Sequence, residues 1–146
     1  RKTARDGGGV ARALIAQVRA TEQALGAAAS ADLAAIRGAL AAGSAALEQT
    51  VAFVAGHYKT DVRAVFAGSV PYLRLAGIVL GGWQMARAAL AASELLASGT
   101  GDRAFLEAKI ATARFFADHV LTQAPGIAAS VVQGAAGVLA LADEQF

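Results

Sequence analysis

Apolar residues recur along this chain at intervals of three and four, the repeat of an amphipathic helix, and almost nowhere at intervals of two. Between Ala31 and Tyr58, residues Leu33, Ile36, Leu40, Gly43, Leu47, Thr50 and Val54 alternate these steps. That is the spacing of a bundle seam. Gly43 and Ser44 lie mid-seam, where small side chains let a neighbouring helix come close. Ser30 or Asp32 is placed to cap this segment. An earlier segment, Gly9 to Leu25, puts Val10, Leu14, Val18, Thr21 and Leu25 on one face. Asp6 and the run of three glycines, Gly7 to Gly9, make its start, and Gly26 supplies a stop.

The third segment runs from Asp61 to about Ser98, with Thr60 as expected N-cap. Pro71 falls inside it and predicts a kink or a division. Beyond the proline the helix is apolar nearly all round. Leu73, Ala76, Leu80 and Trp83 lie on one side, and Leu75, Val79 and Ala86 on the next. The stretch Ser98 to Asp102, SGTGD, is a clear break whose glycines end one helix and whose aspartate caps another. A fourth segment, Arg103 to Gln123, carries Leu106, Ile110, Ala113, Ala117 and Val120. A fifth, Pro125 to Ala142, carries Ile127, Val131, Gly134, Val138 and Leu141, before a polar DEQF tail. The fold class these patterns predict is all-α, an up-and-down antiparallel bundle of four to five helices.

The uncharged run from Leu75 to Ala86, bracketed by Arg74 and Arg87, is about a dozen residues long, short of the roughly 20 that span a bilayer. The fifth segment is longer but contains Gln133 and closes at Asp143. Both read as bundle helices rather than membrane spans.

Composition adds bounds. The chain has 146 residues, one domain's length, and 56% are hydrophobic against 16% charged, which excludes disorder. A net charge of +2 with scattered arginines is not the basic stripe of a nucleic-acid binder. Only the initial RKTAR clusters charge, and it reads as a solvated chain start. Cysteine is absent, so disulfides and thiolate chemistry are excluded, and a reducing, cytoplasmic setting is expected. The sequence opens on Arg1 without a signal peptide, and the expectation is a domain cut from a longer protein, with residues 1–8 as the linker into it.

Candidate chemistry is sparse. His57 and His119 stand alone, without a Glu-x-x-His pair, and read as surface or helix-end histidines. No Gly-x-Ser-x-Gly elbow or Walker loop occurs. Asp6 to Gly9, DGGG, is a weak match to an anion-cradling loop before a helix. Arg74 lies in an apolar stretch and, if buried, must be paired. An acid on a neighbouring helix is expected, with Glu107 the candidate. Tyr72 and Trp83 have polar tips that need partners when buried, and read as core or interface residues.

The strings VPYLRLAGIVLGGWQMARAALAA and GDRAFLEAKIATARFFADHVL resemble the C-terminal helical domain of the long, flavin-dependent acyl-CoA dehydrogenases. More narrowly, they are similar to the methylmercaptopropionyl-CoA dehydrogenase subgroup. The opening RKTARDGGGVARALIAQV resembles the passage from that subgroup's catalytic core into its extra domain. Leu25 to Thr60 match in helical character alone. A larger apolar residue is expected where Ala76 stands.

The resemblance implies α,β-dehydrogenation of an acyl-CoA thioester by the full-length enzyme, with FAD as its cofactor. The catalytic base would lie upstream of Arg1, so no catalytic, flavin-binding or metal-binding residue is assigned in this chain. Arg74, Glu107, Tyr72 and Trp83 are structural or interface candidates. The implied role is an accessory domain, inactive alone and carrying no cofactor. Its partners would be its own catalytic core, the acyl-CoA substrate of the full enzyme, and further copies in a homo-oligomer. Neither nucleic acid nor a membrane span is implied. A stand-alone helical module that oligomerises through its small-residue seams is the alternative reading, and a membrane anchor stands third.

Overall fold

A computed structural model describes residues 1–27 and 30–145. Phe146 of the polar tail lies outside the described residues. In chain order the helices are α1 (Lys2–Arg5), α2 (Gly9–Gly26), α3 (Ala31–His57), α4 (Val62–Ala67), α5 (Ser69–Ala97) and α6 (Arg103–His119). A 3₁₀ turn, Leu121–Gln123, joins α6 to α7 (Ala124–Gln133), followed by α8 (Ala135–Val138) and a last 3₁₀ turn at Asp143–Gln145. The described residues contain no strand, and the chain is all-α.

Four columns make the bundle. α2 and α3 run antiparallel, with Arg19 paired to Glu48 and Gly26 lying against Arg37. α3 and α5 are antiparallel at its centre. One core cluster joins Leu33, Ile36 and Leu40 to Ala86 and Ala89, and a second joins Ala46, Leu47 and Val51 to Leu75 and Val79. α6 serves the first cluster through Ala113 and Ala117, and α7 the second through Ala124 and Ala128. The fourth and fifth segments thus form a single column in one direction. The chain between them stays helical as a 3₁₀ turn, and Pro125 sits in the first turn of α7, where its missing N–H costs nothing.

The α3 seam is buried throughout, with Leu33, Leu40 and Thr50 at 0% exposure. The hydroxyl of Thr50 donates to Leu47 O at 2.8 Å, so burying it leaves no orphaned donor. Ser30 caps α3 by accepting from Leu33 N, and Asp102 caps α6 by accepting from Ala104 N and Phe105 N.

Four expectations need correction. The division of the third segment falls at Gly68, three residues before Pro71. Pro71 occupies the first turn of α5, where N–H groups have no intrahelical acceptor, so it introduces no kink. Gly68 is buried instead against α7, where a Cβ would lie 3.0 Å from Val131 O. The cap of this segment is Asp61, accepting from Ala64 N, rather than Thr60. Lastly, Leu73 and Val10, read as inward, are 74% and 77% exposed. The core face of α5 runs instead through Leu75, Val79, Gly82, Ala86 and Ala89, and Ile15 joins Val18 and Leu25 in α2. The fifth segment also ends early as a core element, because Val138 and Leu141 are exposed.

α3 and α5 are long and apolar enough to cross a membrane by length and composition. Their inner faces form the two core clusters, as the central helices of a bundle require, and length alone does not establish a span.

Candidate functional site

The four candidates, Tyr72, Trp83, Arg74 and Glu107, each meet a different partner and do not converge on one site. Tyr72, on the first turns of α5, shares a 3.0 Å hydrogen bond with Thr3 Oγ1 of α1. This fixes the start of the chain against the bundle. Arg1, Thr3, Val54, Val65, Phe66, Ser69 and Tyr72 line a small recess there, and Arg1, Lys2, Arg5 and Tyr58 line a more open one beside it.

The turn after α1 is the DGGG stretch. Asp6 accepts from Gly8 N at 3.1 Å and Val10 N at 2.7 Å. The bond from Val10 is the main reason its carboxyl titrates below the ordinary aspartate range. Gly8 is buried in a left-handed conformation, φ +86°, and a Cβ there would stand 2.9 Å from Val51 Cγ1. Only glycine meets both conditions. The weak match to an anion cradle therefore fails. The amide donors are already taken by a carboxylate, which would also repel a phosphate.

Trp83 lies farther along α5. Its Nε1 donates to Thr21 Oγ1 of α2 at 2.8 Å, and the Arg87 guanidinium lies 5.4 Å from its ring centroid. Arg74 and Glu107 are not brought together, contrary to expectation. Arg74 is exposed, and its Nη2 donates to Gln123 Oε1 at 2.8 Å. Glu107 accepts from Arg103, four residues earlier on α6, at 2.8 Å. An exposed arginine needs no buried counter-ion, and an amide satisfies it. The interhelical ion pair on this side belongs to Arg114, which donates to Asp118 at 2.7 Å and to Asp32 of α3 at 3.0 Å. The bond to Asp118 is the largest cause of its raised pKa.

His57 and His119 each end a helix and lie against a phenylalanine four residues earlier, Phe53 and Phe115, with centroids 4.5 Å apart in both cases, the first pair stacked and the second tilted. Among the described residues no group of three or more histidine, aspartate or glutamate side chains could hold a metal ion. The glycine-rich turn before α2 is closed by its own aspartate and offers no free amide cradle to a phosphate-bearing cofactor.

Sequence reasoning missed an apolar surface. Val62, Phe66, Val70 and Leu73 lie one turn apart along α4 and α5 and are 39%, 55%, 77% and 74% exposed. Phe105 and Phe115 form a second exposed pair on α6. Their periodicity was visible, but a helix that is apolar nearly all round does not announce which stripe faces inward.

A family model described as acetyl-CoA dehydrogenase C-terminal like matches residues 14–142. The chain is also similar to 3-methylmercaptopropionyl-CoA dehydrogenase of Ruegeria pomeroyi (strain ATCC 700808 / DSM 15171 / DSS-3), 45% identical over 126 residues. That alignment covers 84% of this chain and 21% of the relative, so the chain spans about a fifth of the curated relative's length.

Proposed function

This chain belongs to the family of acyl-CoA dehydrogenase C-terminal domains, and from that premise we propose that it is the accessory helical bundle of a longer FAD-dependent acyl-CoA dehydrogenase. The full enzyme would remove hydrogen across the α,β-bond of an acyl-CoA thioester. FAD would supply the hydride acceptor when bound, and it would be held by the upstream core. This domain's part is structural: to cover that core or support a subunit interface in a homo-oligomer. The cysteine-free sequence is compatible with a cytoplasmic setting.

One observation carries the reading. Identity of 45% over 126 residues extends through the bundle and yet takes in only 21% of the relative. A match of that kind fits a domain that accompanies catalytic machinery encoded elsewhere in the same polypeptide. The structure supports the same division of labour. Ser30, Asp61 and Asp102 cap helices, Tyr72 and Trp83 bond across helices, and Arg19, Arg103 and Arg114 form surface pairs.

The test is peptide mapping of the native polypeptide, with an absorption spectrum of the purified protein. Peptides running continuously upstream from Arg1, together with a bound flavin, are the expected result. A mature chain that begins near Arg1 and carries no flavin overturns it. A free-standing oligomerisation module would then be the working description.

A further inference from the structure

We propose that the apolar stripe Val62, Phe66, Val70 and Leu73 is the surface on which the upstream part of the same polypeptide docks. This rests on the reading of the chain as a C-terminal domain.

The stripe is continuous. Steps of four, four and three residues carry it across the α4–α5 junction. Val65, Gly68 and Leu75 stay buried on the opposite side of the same two helices. Four large apolar side chains in a row, two of them at least 74% exposed, are costly to leave in water.

The position of the N-terminal end selects the occupant. Phe66 belongs both to the stripe and to the small recess whose wall includes Arg1 and Thr3. The Thr3–Tyr72 bond holds α1 against the first turns of α5. Any residue preceding Arg1 must therefore begin beside the stripe. The relative is several times longer than the part matched here, and on the reading of this chain as a C-terminal domain the upstream polypeptide would enter on that N-terminal side. Lys2, Arg5 and Tyr58 flank the recess, and Arg74 follows Leu73, which suits an upstream face with an apolar centre and an acidic rim. The other exposed pair offers less. Phe105 and Phe115 stand ten residues apart on α6 and do not make a continuous stripe.

The experiment uses the full-length chain, its upstream segment first confirmed by intact mass. A photo-crosslinking p-benzoylphenylalanine is placed at position Leu73 and, as a control, at exposed Ala111 on α6. Heavy-isotope and normal chains are mixed before irradiation. Cross-links from position 73 to peptides upstream of Arg1 within one chain, absent from position 111, are expected. Cross-links only between heavy and light chains would show a second copy on this face and overturn the proposal, as would no protein adduct at all. In parallel, Val70→Asp with Leu73→Asp should raise protease cleavage within Gly7–Gly9 about tenfold, because a docked face would bury two unpaired carboxylates. Unchanged cleavage counts against docking. If intact mass shows no upstream core, the C-terminal-domain reading falls too. If the core is present and position 73 is silent, only the docking surface falls.

Discussion

Trp83 and Thr21, 62 residues apart, are joined by a 2.8 Å hydrogen bond from the indole nitrogen of α5 to the hydroxyl of α2. α2 is an outer helix of the bundle, and this is the side-chain hydrogen bond that ties it to the central α5. Thr21→Val keeps the shape and removes the acceptor, so a loss of about 1 kcal/mol is expected. Trp83→Phe also removes part of a ring packed on the first core cluster, so about 1–3 kcal/mol is expected. The double variant should cost less than the sum, because both remove the same bond. Urea unfolding checks this. Trp83 is the single tryptophan and its fluorescence reports on Thr21→Val directly, while circular dichroism serves for the Trp83 variants.

Asp6 makes the turn before α2 dependent on pH. Its carboxylate accepts from Val10 N and Gly8 N, and its folded pKa lies below the ordinary aspartate range. A depressed carboxylate pKa contributes stability that is present above the unfolded pKa and is lost as pH falls through the folded one. Asp6→Ala should therefore melt lower than the parent protein at neutral pH. The difference should close as the pH is taken down through and below the usual carboxylate range. Thermal melts of both proteins across a pH series give the comparison. A difference that persists unchanged in acid would mean the aspartate acts through shape rather than charge.

The sequence was most legible where one helix face differs sharply from the rest. In α3 every seam position from Leu33 to Val54 is buried, because the 3–4 spacing leaves a single way to turn the helix inward. Caps with a side-chain acceptor were readable too, as Ser30 and Asp102 show. α5 was less legible. Its apolar residues lie nearly all round, so periodicity could not choose between the stripe of Leu73 and the stripe of Leu75, and packing against α3 chose the latter. Ala76, where a larger residue was expected, sits partly buried beside that second cluster. The direction of the fifth segment was also hidden. A short break usually reverses the chain, but Leu121–Gln123 continues as a 3₁₀ turn and α7 extends the α6 column. Partners across helices depend on register, which no single sequence displays. Arg74 therefore meets Gln123 rather than Glu107.

That reassignment is testable by its energetics. Arg74→Met and Glu107→Gln each alter an exposed polar contact, and each should change stability by no more than about 1 kcal/mol. Since the two residues do not touch the same partner, the double variant should equal the sum within about 0.5 kcal/mol. A coupling well above that would restore the pairing with Glu107. Gln123→Ala, by contrast, should make Arg74→Met close to silent, because Gln123 is the residue Arg74 holds.

α5 packs closely on the α6–α7 column at Gly82 and Leu121. A Cβ on Gly82 would lie 2.6 Å from Leu121 Cδ1, 2.7 Å from Cδ2 and 2.8 Å from Cγ. Leu121 is 1% exposed, in the 3₁₀ turn that keeps the column straight, and also lies 3.1 Å from the Cβ position of Gly43 on α3. It is held from two sides and cannot move away cheaply. Gly82→Ala should therefore cost about 1–3 kcal/mol as an overpacked core, although alanine is the better helix former. Leu121→Ala should cost about 2–5 kcal/mol through the cavity it leaves. Together the two should cost less than their sum, because the added methyl enters the space the leucine vacates. Gly38→Ala, exposed on α3 with nothing within 4 Å, should instead stabilise by about 0.5–1 kcal/mol. Denaturant unfolding of the four proteins separates close packing from propensity. If Gly82→Ala proved as favourable as Gly38→Ala, the helices would have to stand farther apart than the Gly82–Leu121 contact allows.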